Sequence, residues 1–276
     1  MAEPLAPWVF LLLAVGFMTK TAAVGVHIWL PGAHAEAETD VSPMVSGILL
    51  KAGLFGLFVL LMQMGRQQLY GIELTHVLMW IGALSALVGN LLAAFQEDAK
   101  RLLAYSSVVH MGTLLVGILC QSTAGFAATT FYIVVYGLTS LGAFAVIASL
   151  ADDRGEPMSF DQWRGLGTRH PVRCGVLVLL LLSLAGLPAT AGFMAKFAVF
   201  HAALQSGYVG LLLIGVLASV ISFAYYLRVT VLLFQPGGQA RSWHQGSALE
   251  HAVLAVCSSA VLVLGLFPDL LFGLIR

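Results

Sequence analysis

The chain has 276 residues, of which 59% are hydrophobic and 9% charged. Soluble domains carry about 25% charged residues, so the composition excludes a large soluble core and points to a polytopic membrane protein. The 13 basic and 13 acidic residues cancel, which leaves no basic tail or patch for nucleic acid.

Eight apolar segments can be marked, each meeting or nearly meeting the roughly 20 residues of a spanning helix. They run from about Trp8 to Leu30, Val41 to Met64, Ile72 to Phe95, Leu102 to Cys120 and Phe126 to Leu150. The last three are Val172 to Leu204, Tyr208 to Phe234 and Ala248 to Leu274. MAEPLAPW, ahead of the first, lacks a basic n-region and a small-residue cleavage site, so that segment is expected to stay in the membrane. The short turn Gln121 to Gly125 makes the fourth and fifth segments an antiparallel hairpin. The polar stretch ADDRGEPMSFDQWRGLGTRHP, with Asp152, Asp153, Glu156, Asp161 and Trp163, suits an interfacial connector carrying a short amphipathic turn. Cys120, Cys174 and Cys257 lie in or beside apolar runs without CxxC spacing, as packing residues do.

Basic residues near helix ends set orientation. If all eight segments span, Lys100, Arg101, Arg154, Arg164, Arg169, Arg173 and Arg241 share one face, against Arg66 and Arg276 on the other. That puts the first face in the cytoplasm and both termini on the extracytoplasmic side.

Charges inside the apolar runs carry the functional argument, because an ammonium ion at bilayer depth needs a hydrated cavity or a counter-charge. Lys51 lies roughly 15 Å along its helix from Val41 and about 20 Å from Met64, too deep to snorkel into bulk water. It is either a structural lysine bonded inside the bundle or a member of a proton relay. Lys20, in GFMTKTAAVG, sits among glycines and threonines that suit an irregular helix facing a cavity. The sixth segment repeats the device in SLAGLPATAGFMAKFAVFH. Pro188, with Gly186 and Gly192, predicts a break near Leu187, and Lys196 follows it as a relay residue or a snorkelling one.

His110, in AYSSVVHMG, can accept at one ring nitrogen and donate at the other, so it is a candidate link between lysines or a satisfied packing histidine. His76 and His201 are weaker candidates, and Arg228 is expected to reach headgroups beside Tyr225 and Tyr226. His27 and His34, with Glu36, Glu38 and Asp40, lack HxxxH or HExxH spacing. They suit a hydrated mouth feeding Lys20 better than a metal site. No dinucleotide glycine motif, P-loop or cysteine set for haem or iron–sulfur ligation is present, so no cofactor is expected. The driving energy must come from an ion gradient or a partner subunit.

KTAAVGVHIWLPGAHAEAETDVSPMVSGILLKAG, GNLLAAFQEDAKRLLAYSSVVHMG, LSLAGLPATAGFMAKF and YYLRVTVLLF together resemble the antiporter-like membrane subunits. These are shared by respiratory complex I, membrane-bound energy-converting hydrogenases and multisubunit cation/proton antiporters. The first stretch is more similar to the M-type and hydrogenase subunits, the later ones to the N- and L-types. The resemblance implies part of a fourteen-helix fold with two inverted five-helix repeats, each with a broken helix. It places Lys20 on the first broken helix, Lys51 as the bridging lysine, His110 as the central histidine and Lys196 on the second broken helix. Glu36 falls in the family's loop.

On that reading residues 1–64 are a remnant of the first repeat, 72–235 the second repeat, and 248–276 a last transmembrane helix. The glutamate that partners the Lys20 position lies on a helix outside these eight, so another chain is expected to supply that half. The implied function is a proton-translocating subunit, without its own redox site, of a complex I-like or hydrogenase-like assembly in a bacterial or archaeal cytoplasmic membrane. A subunit of a sodium/proton antiporter and a non-pumping structural subunit are the alternatives.

Overall fold

A computed structural model describes residues 5–37, 41–150, 159–237 and 248–275. Glu38, Asp40, Asp152, Asp153, Arg154, Glu156, Arg241 and Arg276 therefore lie outside the described residues. Among the described residues the fold is all-α apart from one small hairpin.

Helix α1 (Ala6–Lys20) ends in the first of two breaks, and the chain resumes as α2 (Trp29–Glu36). A helical column follows, in which α3 (Ser42–Met44) passes through a π turn at Val45–Leu49 into α4 (Leu50–Met64). The hairpin pairs β1 (Gln68–Leu69) with β2 (Ile72–Glu73), its two turn residues Tyr70 and Gly71 both at positive φ. Next come α5 (Leu74–Ala94), α6 (Ala99–Leu119) and α7 (Thr123–Ser149). Asp98 and Ser122 cap the last two, each accepting a backbone N–H bond from the third residue onward, at 2.9 and 3.0 Å. The short α8 (Phe160–Trp163) and α9 (Leu166–Arg169) lead to α10 (Pro171–Ala185), the second break and α11 (Ala191–Gln205). The chain ends with α12 (Val209–Phe234), α13 (Ala248–Leu266) and α14 (Asp269–Ile275).

Six helices among the described residues are long and apolar enough to cross a membrane, and α1 and α10 are shorter apolar helices. Outward-facing Leu12, Phe55, Leu213 and Val220 give the bundle the apolar exterior that lipid requires. Helix α6 is buried on nearly every side and packs against α2, α4, α5, α7, α11 and α12, so it is the central post. Where α5 and α6 cross, a Cβ at Gly82 would lie 3.0 Å from the Gly112 carbonyl oxygen, a close approach that small residues permit.

One end of the bundle gathers the α5–α6 turn, α8 to the start of α10, and the end of α12. Asp98 bridges to Ser159, Arg173 donates to the Ser149 carbonyl at 2.8 Å, and Arg228 reaches the Ala94 carbonyl. The other end gathers Arg66, Glu73, His76, Gln121 and Tyr208.

The two breaks are built alike. At the first, the Ala23 amide reaches back to the Met18 carbonyl, with positive φ at Ala22 and Gly25. At the second, the Leu187 amide reaches back to the Leu182 carbonyl, with positive φ at Gly186 and Ala189. This six-to-one closure over a left-handed residue terminates a helix by satisfying its last carbonyls. Proline therefore does not stop α10. Gly186 does, and Pro188 follows where the helix can no longer continue. A side chain at φ +92 is strained, so Gly186→Ala is expected to cost about 1–2 kcal/mol, measurable as earlier unfolding of the purified chain in detergent.

Three expectations need correction. Helix α6 begins before Leu102, which takes Lys100 out of the loop. Its buried amine donates to the Ala37 carbonyl at 2.8 Å and ties α6 to the end of α2. Trp163 is not interfacial but buried, edge-on to Phe160. The eighth segment is two helices, because Pro268 follows the end of α13. Helix α14 then returns to stack Phe272 on Phe131 of α7, with ring centroids 4.5 Å apart.

Candidate functional site

Backbone groups freed at each break are met by side chains. At the first, the Trp29 indole donates to the Thr19 carbonyl at 2.9 Å, and the Val24 amide donates to Ser85 Oγ of α5 at 2.8 Å. At the second, the Gly192 amide donates to Ser183 Oγ at 3.1 Å, and Lys196 Nζ donates to the Ala185 carbonyl at 2.9 Å. Lys196, 5% exposed, thus sits against the carbonyl end of α10, where the helix dipole favours a cation.

Lys51 reaches the centre from α4. It is 8% exposed, its amine bonds the Ser46 carbonyl within the π turn, and it lies 4.0 Å from the centroid of the Tyr136 ring. A carbonyl and an aromatic face are the two neutral groups best suited to an ammonium away from water. π turns inside helices often mark functional positions.

From Lys51 a polar line crosses the bundle. Ser46 Oγ and the Tyr136 hydroxyl are 3.1 Å apart, and the Tyr136 hydroxyl donates to Ser107 Oγ at 2.7 Å. One turn along α6, His110 lies against the Tyr136 ring, with centroids 4.6 Å apart, and its Nδ1 is 2.8 Å from the Tyr132 hydroxyl. Helix α11, which carries Lys196, packs against α6 and α7, the helices that carry His110 and its two tyrosines. Every member of this line is buried.

A second buried cluster adjoins it. Ser106 is hydrogen-bonded to the Tyr226 hydroxyl, and Tyr226 packs on Tyr225 with ring centroids 4.5 Å apart. The Tyr225 hydroxyl donates to Asn90 Oδ1 at 3.1 Å, as Ser222 Oγ does at 2.7 Å.

Of the residues singled out from sequence, the structure brings Lys51 and His110 onto one Tyr136 ring and places Lys196 on α11, which packs beside them. Lys20 lies at the end of α1 on an exposed face, outside the line. His34 is buried and stacked on Phe144 at 5.4 Å, while His27 is half-buried with its ring edge toward Tyr105. Glu36 is exposed. His76 is exposed at the far end, 3.2 Å from the Tyr208 hydroxyl and 3.7 Å from Glu73. His201 is exposed beside Phe197. Arg228 is exposed and turns its guanidinium onto the end of α5. It donates to the carbonyls of Ala94 and Gln96 at 3.1 and 2.6 Å and so caps α5. Among the described residues, no group of three or more His, Cys, Asp or Glu is placed to hold a metal ion.

Tyr132, Tyr136, Ser46 and Asn90 were missed from sequence. Each reads alone as an ordinary helix residue; only the packing of α3–α4, α6 and α7 aligns the hydroxyls, and that of α5 on α12 brings Asn90 to Ser222 and Tyr225. The one available signal was spacing, since Tyr132 and Tyr136 are four apart and share a helix face.

Residues 1–222 match a sequence profile described as NADH:quinone oxidoreductase/Mrp antiporter, TM. NADH-quinone oxidoreductase subunit N of Rhodococcus opacus is 39% identical over 260 residues, which are 94% of this chain and 48% of that protein. The chain spans about half the length of the curated relatives it matches. A chain of respiratory complex I from Thermus thermophilus superposes with a TM-score of 0.83 at 30% identity, over 98% of this chain and 59% of that one. A chain of the Mrp complex from Dietzia shares the fold, with a TM-score of 0.84 at 21% identity over 97% of this chain and 58% of its own.

Proposed function

The chain belongs to the NADH:quinone oxidoreductase/Mrp antiporter transmembrane family, and we propose that it moves protons through a buried lysine–histidine relay within a larger membrane assembly. The observation that carries this reading is the buried polar line from Lys51 along Ser46, Tyr136 and Ser107, with His110, bonded to Tyr132, one turn further along α6 and Lys196 on the adjoining α11. Hydroxyl groups both donate and accept, so they can pass a proton on, and histidine can do the same. The steps from Ser107 to His110 and from His110 to Lys196 run through bridging water. A charge arriving at one lysine shifts the proton occupancy of the next, which couples the ends of the line.

In this proposal α1–α2 and α10–α11 each act as one broken span, which with the six long helices makes eight. The matching break geometry supports an inverted repeat, with residues 72–235 as one five-helix unit, 1–64 as part of the other and 248–276 as a flanking helix. Lys100, Arg101, Arg164, Arg169 and Arg173 gather at one end, against Arg66 at the other, which supports that end as cytoplasmic and the termini as extracytoplasmic. The redox chemistry belongs to partner subunits of a complex I-like or hydrogenase-like complex. At Lys20, whose side chain faces outward, a neighbouring polypeptide supplies the counter-charge.

Proton transport by the assembled complex in liposomes tests the reading. Lys51→Met is expected to cut transport at least tenfold while assembly persists; full transport with assembly intact would favour a purely structural subunit. The family's description as NADH:quinone oxidoreductase/Mrp antiporter supports one second reading, a sodium/proton antiporter subunit using the same residues. It predicts transport driven by a sodium gradient without electron transfer.

A further inference from the structure

At the basic end of the bundle a cavity of about 540 Å³ opens between the start of α10 and the first turns of α13, remote from the relay. Its upper rim carries Arg169, His170, Arg173 and His251. Below, Val172 and Val176 of α10 face Leu254, Ala255 and Ser258 of α13. At 1.5 Å per residue, Ser258 lies roughly 10 Å below His251 along the helix, so the slot descends from the water boundary into hydrocarbon depth. Small Ala255 and Ser258 keep it open.

The rim has a defined charge. Burial, then Arg173 and Arg169, press the His170 imidazole below its ordinary range, toward the neutral form. The fixed cations are thus the two guanidiniums. Arg169 is exposed, and Arg173 is anchored through its bond to the Ser149 carbonyl. Glu250, one residue before His251, is the acid that adjoins the rim on α13. Among the described residues, two guanidiniums against one carboxylate leave the mouth positive.

A cationic rim at headgroup level above an apolar slot fits an amphiphile with an anionic head and a hydrocarbon tail. We infer that this cavity binds one anionic phospholipid, its phosphate at Arg169 and Arg173 and one acyl chain between α10 and α13. Arginine suits the head because its planar fork can pair two oxygens of a phosphate. The slot distinguishes the site from a plain ion site, which would need only the rim.

The test is native mass spectrometry of the full chain, as purified in detergent, titrated with dioleoyl phosphatidylglycerol, dioleoyl phosphatidylcholine or inorganic phosphate. The unaltered chain is expected to hold one phosphatidylglycerol at concentrations where phosphatidylcholine does not bind. Retention should fall about tenfold in the double variant Arg169→Ala, Arg173→Ala and stay unchanged in Arg101→Ala, which removes a charge from the same end outside the cavity. Ala255→Trp, which fills the slot and leaves both arginines, should also weaken phosphatidylglycerol. Equal retention in the double variant, equal binding of phosphatidylcholine, displacement of the lipid by inorganic phosphate, or indifference to Ala255→Trp would each overturn the assignment.

Discussion

An assembled complex carrying Lys196→Met is expected to lose proton transport by about 100-fold, while assembly is retained. Two separate properties of Lys196 are involved. Its amine closes the Ala185 carbonyl at the end of α10, and its helix packs against α6 and α7, which carry His110 and Tyr136. Methionine keeps most of the stem volume and removes both the charge and the proton. Loss of a positioned proton donor or acceptor typically costs about 10²–10⁴ in rate. Lys196→Arg separates holding from transferring. The guanidinium keeps a positive donor for the carbonyl but does not release its proton at any physiological pH. It should restore stability without restoring transport. Full transport in Lys196→Arg would mean that the charge at this position is structural.

The second large effect is on the fold. Gly192→Ala is expected to destabilise the protein by about 3 kcal/mol, at the upper end of overpacking costs. A Cβ built there collides with the Ser183 carbonyl, which is backbone and cannot swing aside. Relief requires α11 to move away from the end of α10, which breaks the Gly192 amide bond to Ser183 Oγ and draws Lys196 from Ala185. Gly137 of α7 is the control, because a Cβ there meets nothing within 4 Å. Gly137→Ala should be neutral or slightly stabilising through helix propensity. Unfolding of both variants in detergent checks the pair, and equal stability would show that the break tolerates a wider gap.

Much of this protein is legible in its sequence, for particular physical reasons. Apolar runs of bilayer length announce the long helices, and a lysine stranded within such a run announces Lys51 and Lys196, because few environments tolerate that placement. Lys20 carries the same signal with a different outcome. Its position at a break is visible in the glycines and threonines around it, but which way its side chain turns depends on the rotation of α1. The stop at Gly186 is overshadowed by Pro188, although glycine followed by proline is a known helix ending. Lys100 reads as a loop charge: Asp98 is a local signal for an early start of α6, but nothing local reveals that the helix passes against α2. The hydroxyl line is least legible. Ser46, Ser107 and the Tyr132–Tyr136 pair come from three separate segments, and their alignment is a property of packing.

The central claim is that the hydroxyls between Lys51 and His110 carry the proton, and Tyr136→Phe tests it most directly. The substitution keeps the ring beside Lys51 and against His110 and removes only the oxygen that joins Ser46 to Ser107. Proton uptake into liposomes by the assembled complex is expected to fall about tenfold, with subunit content unchanged. Undiminished uptake in that variant would contradict the account.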